Sequence, residues 1–384
     1  MTMKRTILSF SAVPAFLLGA VMMSSSCIRE EAKNMEADIL TCTVEGIDLV
    51  QDPLITNNRV TLYINGWEDL TSVAPEFTLT EGATIEPASG TALDFSSPQQ
   101  YTVTSEDGKW TKTYTVAFSS TELAKDYHFE NSMYYTYTSS STGETSQRYQ
   151  ILYEIRNVSD TLFWSSGNPG YMITHSDALA TEYPTSQCDT GYVDKCVKLV
   201  TRSTGALGAM FGSPIAAGNL FLGNFKINMG NTLLSTHFGE GVPCTQEPLA
   251  VSGWYKYTRG PQMTNEENEN IEGDDNFDIY ASFFEPTDDV PYLDGTNVKD
   301  TTSATTTIVK FGQIQDSMKV ADGEWHQFWF LLDTVSGKEI DEDKLANGKY
   351  CLTIVLSSSM NGAKFIGAVG STLYADELKL YCEE

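Results

Sequence analysis

The sequence predicts an all-β protein, a small N-terminal β-sandwich of immunoglobulin or fibronectin type followed by a larger β-jelly roll. Three observations predict it. Aromatic residues are plentiful, with 19 Tyr, 18 Phe and 6 Trp, beside 29 Gly and frequent Ser and Thr. Short runs of alternating apolar residues recur along the chain, separated by Gly, Asn, Asp and Ser clusters. Long stretches of helical periodicity are nearly absent, which is the pattern of a turn-rich exported β-protein.

Residues 1–26 read as a secretory signal. Lys4 and Arg5 make a short basic start, Ile7 to Met23 is mostly apolar, and Ser24-Ser25-Ser26 leads into Cys27. Small residues before a cysteine suit a peptidase that cleaves once the thiol is lipidated. Cys27 is therefore expected to be the acylated first residue of a bacterial-type lipoprotein, held to the membrane by its lipid alone. Ser24 stands where such signals usually carry Leu, and an ordinary cleaved signal with an incidental cysteine is the alternative. Residues 27–38 are polar and acidic and read as a tether. Within them Glu30-Glu31 resembles the export tag that directs Bacteroidetes lipoproteins to the outer face of the outer membrane.

Residues 39–120 read as the small sandwich. Its clearest unit is Gln100–Thr104, then Glu106-Asp107-Gly108-Lys109, then Thr113–Phe118. Asp-Gly between alternating strands predicts a hairpin with a primed turn, placing Tyr101 and Val103 on one face and Tyr114, Val116 and Phe118 on one face of the return strand. In this position the module serves as a spacer. Ser119 to Glu122 is the expected hinge, and residues 127–384 form the larger domain. Strands are expected at 149–155, 250–257, 277–284, 325–332, 350–357 and 371–382. One domain of this length with so little helix predicts two packed sheets.

The formal net charge is −27, with 51 Asp and Glu against 24 Lys and Arg. Charge of this sign excludes non-specific nucleic-acid binding, because phosphate is repelled. Beyond Cys27 there are six cysteines, an even count that permits disulfides in an exported protein. Cys188 and Cys196 flank a short loop and are the best candidate pair, whereas Cys351 lies in an apolar strand and reads as a buried thiol. No CxxC pair exists and the four His are scattered, so a zinc site is not expected. The acidic loop 265–278 offers Asp274, Asp275 and Asp278 as calcium candidates. Its spacing does not fit an EF-hand, and a solvated acidic loop is the competing reading; no cofactor is required. Nucleophile elbow, phosphate loop, H-E-x-x-H and dinucleotide fingerprints are all missing, and Ser357-Ser358-Ser359 lacks a GxSxG context.

Strand parity separates core from exposed positions. In 249–257, Leu249, Val251, Gly253, Tyr255 and Tyr257 share the expected core face, leaving Trp254 and Lys256 outward. In 325–332, Phe328, Phe330 and Leu332 are the core set, leaving Trp325, Gln327 and Trp329 on the other face. A Trp–Gln–Trp row suits a sugar: flat rings cover the apolar faces of pyranoses while the amide bonds hydroxyls. The competing reading is that both Trp fill a second core or seal an edge. In 277–285, Asp278 and Tyr280, further carbohydrate-binding candidates, lie on one face and Ile279, Ala281 and Phe283 on the other. Asp278 and Glu285 differ by an odd number and face opposite ways on a regular strand, which argues against them as a glycosidase carboxylate pair unless a bulge intervenes. The segment 164–171 reads as a loop, because Gly167, Pro169 and Gly170 oppose regular structure. Trp164, Asn168 and Tyr171 are its candidate binding residues, against a structural corner in which Asn168 bonds its own backbone.

Several blocks together resemble a known family. They are Trp164–Tyr171 (WSSGNPGY), Ile215–Gly223 (IAAGNLFLG), Gly253–Tyr257 (GWYKY), Asp278–Ala281 (DIYA), Leu356–Ser359 (LSSS) and Gly367–Leu378 (GAVGSTLYADEL). Their order and content resemble the putative carbohydrate metabolism domain (PCMD) family of Bacteroidales surface lipoproteins over 127–384, and the N-terminal sandwich resembles the domain that precedes this module in relatives. Relatives often carry Tyr at the position of Trp254, and Val or Asp at that of Ala375. The resemblance implies a galactose-binding-domain-like jelly roll behind an immunoglobulin-like domain, with a role in handling glycans. It carries over no catalytic residue. Three readings follow. The first is a surface protein that captures an oligosaccharide or polysaccharide for other outer-membrane glycan-uptake proteins. The second is a glycoside hydrolase using two carboxylates. The third is a structural or adhesion component of the cell surface.

Overall fold

A computed structural model describes residues 33–49, 52–64, 70–120, 124–138, 143–157 and 160–383. Cys27, Glu30-Glu31 and the whole signal segment lie outside the described residues, as does the Thr121-Glu122 part of the expected hinge.

The N-terminal domain pairs a five-stranded sheet with a two-stranded one. The expected hairpin is present as strands Gln99–Thr104 and Thr111–Ser120, with Tyr101 opposite Tyr114. Tyr101, Val103, Tyr114, Val116 and Phe118 are buried in one cluster. The turn itself is not the primed two-residue form. Gly108 N–H closes on Ser105 O at 2.9 Å, and only Gly108, at φ 69°, is left-handed. Asp107 instead caps the turn, accepting from Ser105 Oγ at 2.7 Å and Lys109 N–H at 3.0 Å. The stretch expected as the end of the tether packs on this domain. Ala37 joins the core, Asn34 N–H donates to Glu106, and Asp38 pairs with Lys112.

The larger domain is built on two main antiparallel sheets, one of ten strands and one of six, with a two-stranded and a three-stranded sheet beside them. Their facing side chains form one core. The larger sheet contributes Leu220, Ile279, Phe283, Leu352 and Ile354, and the smaller Val251, Tyr255, Tyr257, Phe328 and Leu380. This is the expected β-sandwich of jelly-roll type. Alternation follows from the pleat, which turns successive side chains to opposite faces. In strand Pro248–Thr258, Val251, Gly253, Tyr255 and Tyr257 point inward, as parity predicts. Leu249 does not: it is exposed, because a register shift between Pro248 and Ala250 rotates it out and puts Pro248 inside.

Strand Asp278–Phe284 is buried along its full length. Its inner residues enter the main core. Tyr280 and Phe284 enter a second apolar cluster with Phe221, Phe238, Leu293 and Val298 on the outer side of the sheet. Loops therefore cover part of this sheet's outer face, whereas the outer face of the six-stranded sheet stays open. The two domains meet where the Arg59 guanidinium lies 4.4 Å over the Phe163 ring and the Tyr63 hydroxyl donates to Gly241 O.

A cleft on one sheet and an aromatic face on the other as candidate functional sites

The covered side of the ten-stranded sheet contains a cleft of about 610 Å³. Its floor is made by Asn219, Asp278, Tyr280 and Ser357, on three neighbouring strands of this sheet. Its walls are two short helices, α1 (Asn168–Thr174) and α2 (Gly205–Met210), with the segments 225–235, 295–300 and 359–365.

The loop expected at 164–171 is instead the end of strand Asp160–Ser165 and the start of α1. Pro169 sits in its first turn, where a missing N–H costs nothing, and Gly167 precedes it. Gly167 N–H donates to Asn219 Oδ1 at 2.7 Å, fixing the helix to the floor. A Cβ on Gly170 would lie 3.4 Å from the Phe225 ring, so a glycine here lets the helix backbone approach that ring. Three candidates from this block separate. Tyr171 lines the cleft, stacked on His175 at 4.3 Å and 3°. Trp164 is a core residue instead of a rim residue, edge-on to Tyr127 at 5.3 Å. Asn168 is fully buried and bonds the next strand instead of its own backbone: its Nδ2 donates to Thr185 O at 2.8 Å and its Oδ1 accepts Thr185 N–H at 3.1 Å.

On the floor, Asp278 is saturated. It accepts from Lys299, from Lys319 at 3.4 Å, and from Gln313 Nε2 at 2.8 and 2.9 Å. Lys299 also lies 4.2 Å over the Tyr280 ring. Burial and the neighbouring Asp278 charge push the Tyr280 hydroxyl well above the usual phenol range. The second carboxylate in the lining is Asp300, held below the usual carboxylate range by the backbone N–H groups of Ser303 and Thr302. Glu285 stands past the far end of the Asp278 strand, bound to Lys344 at 2.6 Å. Asp278 and Glu285 therefore do not converge.

The calcium candidates are not brought together. Asp275 is buried and its Oδ2 accepts from Ser359 Oγ at 2.6 Å, Ser371 Oγ at 2.7 Å and Ala368 N–H at 2.8 Å. Asp274 is exposed and faces Arg259 at 3.6 Å, and Asp278 is held by the lysines above. The buried serines and backbone that hold Asp275 were not legible as its partners in the sequence.

The other candidates gather on the open outer face of the six-stranded sheet. Trp254 and Lys256 lie opposite Gln327 and Trp325, with Trp329 two positions further on. Trp254 and Trp325 are half-buried, Gln327 is exposed, and Trp329 is 57% exposed. Neither tryptophan of the 325–329 row fills a second core. Lys256 Nζ sits 5.1 Å over Trp325 and 4.4 Å over Tyr374. Tyr192, absent from the sequence candidates, stacks on Trp254 at 3.9 Å and 10°. Cys188 and Cys196 are direct cross-strand partners at the base of the Tyr192 loop, with both thiols free. Burial is the main cause that pushes the Cys196 thiol far up.

The sequence also missed most of the cleft: Phe211, Phe225, Ile227, Met229, Asn361 and Phe365. Phe211, Ile227 and Met229 are exposed apolar side chains at its rim. Among the described residues no helix is long and apolar enough to cross a membrane.

Comparison with known proteins agrees with this architecture. Residues 39–117 match the domain described as SGBP, N-terminal. A structure described as a putative glycoside hydrolase from Bacteroides thetaiotaomicron is 44% identical, covers 93% of this chain and 99% of its own, and superposes with a TM-score of 0.79. A second structure with that description, from Bacteroides vulgatus, is 38% identical over 68% of this chain and 99% of its own, with a TM-score of 0.61. No curated protein matches. Residues 128–381 match the family described as Putative carbohydrate metabolism domain, and the chain belongs to that family.

Proposed function

We propose that the protein is a surface lipoprotein, anchored through lipid on Cys27 at the outer membrane, that binds oligosaccharide in the cleft of its jelly roll. One observation carries this reading: a cavity of about 610 Å³ holds aromatic rings and unpaired amide groups side by side. That size lies within the ~300–1,000 Å³ usual for small-ligand sites. Phe225 and Phe365, both half-buried, supply flat apolar surface for sugar rings. The Nδ2 groups of Asn219 and Asn361 have no protein partner among the described residues and are free to bond hydroxyls. The match of the N-terminal domain to an SGBP domain, a surface glycan-binding type, supports both the ligand class and the location.

The family description and the two similar structures favour a second reading, a glycoside hydrolase. The cleft's own chemistry favours binding. A glycosidase needs one carboxyl able to give a proton and a second able to attack or activate water. Asp278 is fully engaged by two lysines and an amide, and Asp300 is held ionised by backbone donors.

The test is calorimetric titration of the full chain with a panel of plant and host oligosaccharides, with parallel assay for released reducing ends. Binding to at least one glycan class without release is expected. Release of reducing ends that Asp278→Asn and Asp300→Asn abolish supports the hydrolase instead, and no binding across the panel sinks the cleft reading.

A further inference from the structure

The loop 189–195 is held against the six-stranded sheet by several independent devices. Gly191 N–H closes a turn onto Asp194 O at 2.8 Å, and Asp194 is left-handed at φ 46°. Val193 N–H donates to Asp376 Oδ2 at 2.9 Å, and Lys195 N–H to Glu130 Oε1 at 3.0 Å. A Cβ on Gly191 would lie 2.5 Å from Lys195 O and 2.7 Å from Asp376 Oδ2, so only glycine permits so close an approach. The result is a Tyr192 ring parallel to Trp254 and 6.0 Å from Trp325, yet still 43% exposed.

This shelf continues along the sheet. Trp329, Leu331 and Tyr381 are exposed beyond it, and Lys198, Lys256 and Lys379 each lie over an aromatic ring. Charge is distributed unevenly here. Strands Pro248–Thr258, Trp325–Leu331 and Thr372–Cys382 carry two carboxylates: Asp376, buried beneath the loop, and the partly exposed Glu377, whose Oε1 bonds His128 at 2.8 Å; at the edge of the face Asp126 lies 3.6 Å from Lys379. The remaining outward groups are aromatic, aliphatic, hydroxyl, amide or ammonium, in a chain where acids outnumber bases 51 to 24. Stacked rings interleaved with ammonium and amide donors complement a ligand that offers apolar C–H faces and hydroxyls together. Trp325 and Trp329 are four residues apart on one strand, about 13 Å, which calls for a ligand of several units.

We propose that this open face is a second carbohydrate-contact surface, separate from the cleft, on which an extended polysaccharide chain lies, with the Tyr192 loop as its preorganised shelf. Preorganisation matters because a ring already fixed in place loses no rotamer freedom on binding. The proposal does not depend on the cleft reading, since the two surfaces lie on opposite sheets of the sandwich.

The test is affinity electrophoresis of the full chain through gels containing soluble xylan, β-glucan, galactan or pectin, comparing wild type with Tyr192→Ala, Trp329→Ala and the cleft variant Phe225→Ala. Both exposed rings can be removed without opening the core, and an unchanged near-ultraviolet dichroism spectrum outside the lost ring's own band checks this. Retardation of wild type by at least one polysaccharide is expected, with about tenfold weaker apparent affinity in Tyr192→Ala and Trp329→Ala and none lost in Phe225→Ala. Retardation by none of the polymers, or equal retardation of all variants, overturns the proposal. So does a wild-type dimer that Trp329→Ala converts to monomer with retardation unchanged, which identifies the face as a protein contact.

Discussion

The two faces of the jelly roll solve the same problem in opposite ways. On the ten-stranded sheet, loops and short helices fold over the outer face, bury Tyr280 and Phe284, and leave a cleft with a charged floor. On the six-stranded sheet the Tyr192 loop lies on the outer face at Trp254, and rings lie open beside lysines. A concave site encloses a short ligand and discriminates by shape, whereas an open one contacts a long ligand over many weak points. The difference also separates stability from binding. Cleft residues are embedded in a polar network that the fold depends on, but the exposed rings of the open face can be removed at little structural cost.

The largest effect is expected on the cleft floor. Asp278→Ala takes the carboxylate away from half-buried Lys299 and leaves buried Lys319 with only the exposed Asp316, at 3.0 Å. Loss of one partner of a buried pair costs about 3–5 kcal/mol. Calorimetric melting should show a Tm lower by on the order of 10 °C. A shift within 2 °C would show that the floor does not rest on this pair. Next, Phe225→Ala should weaken oligosaccharide binding about tenfold, as read by titration calorimetry, while Tyr192→Ala leaves it unchanged. If the two variants swap these effects, the assignment of short and long ligands to the two faces is reversed.

A smaller effect concerns pH. Burial pushes the Asp376 carboxyl up from 3.8 to about 6. The native state therefore holds a proton that the unfolded chain has already lost, so stability falls as pH rises from about 4 to about 6 and is level above. A Tm decrease of ~6 °C across that window is expected, and Asp376→Asn should flatten it. The smallest effect is at the bulge. Leu249→Ser should change stability by less than about 0.5 kcal/mol, because the side chain already faces water. A loss of several times that would place Leu249 back in the core that simple alternation assigned it.

What was legible in the sequence is what local geometry fixes. Period-two alternation identified Val251, Tyr255, Phe328 and Phe330 as core and Trp254, Gln327 and Trp329 as outward, since the pleat alone sets those directions. It failed at Leu249, where one extra residue against the partner strand inverts the phase. The Asp107-Gly108 pair marked the hairpin but not its turn type, which the Asp107 side chain determines. The cleft was not legible, because its walls come from segments between residues 167 and 365 that meet only after both sheets close. Tyr192 carried no periodic signal either. Its one clue was a glycine-containing loop between Cys188 and Cys196, which fall directly opposite each other when the strands pair.

The most direct measurement is a crystal structure of the full chain with the tightest-binding oligosaccharide from the panel. Sugar density is expected in the cleft, against Phe225 and within hydrogen-bond distance of Asn219 Nδ2. Density confined to the Trp254–Trp329 face, or to any site outside the cleft, would contradict the cleft as the oligosaccharide site.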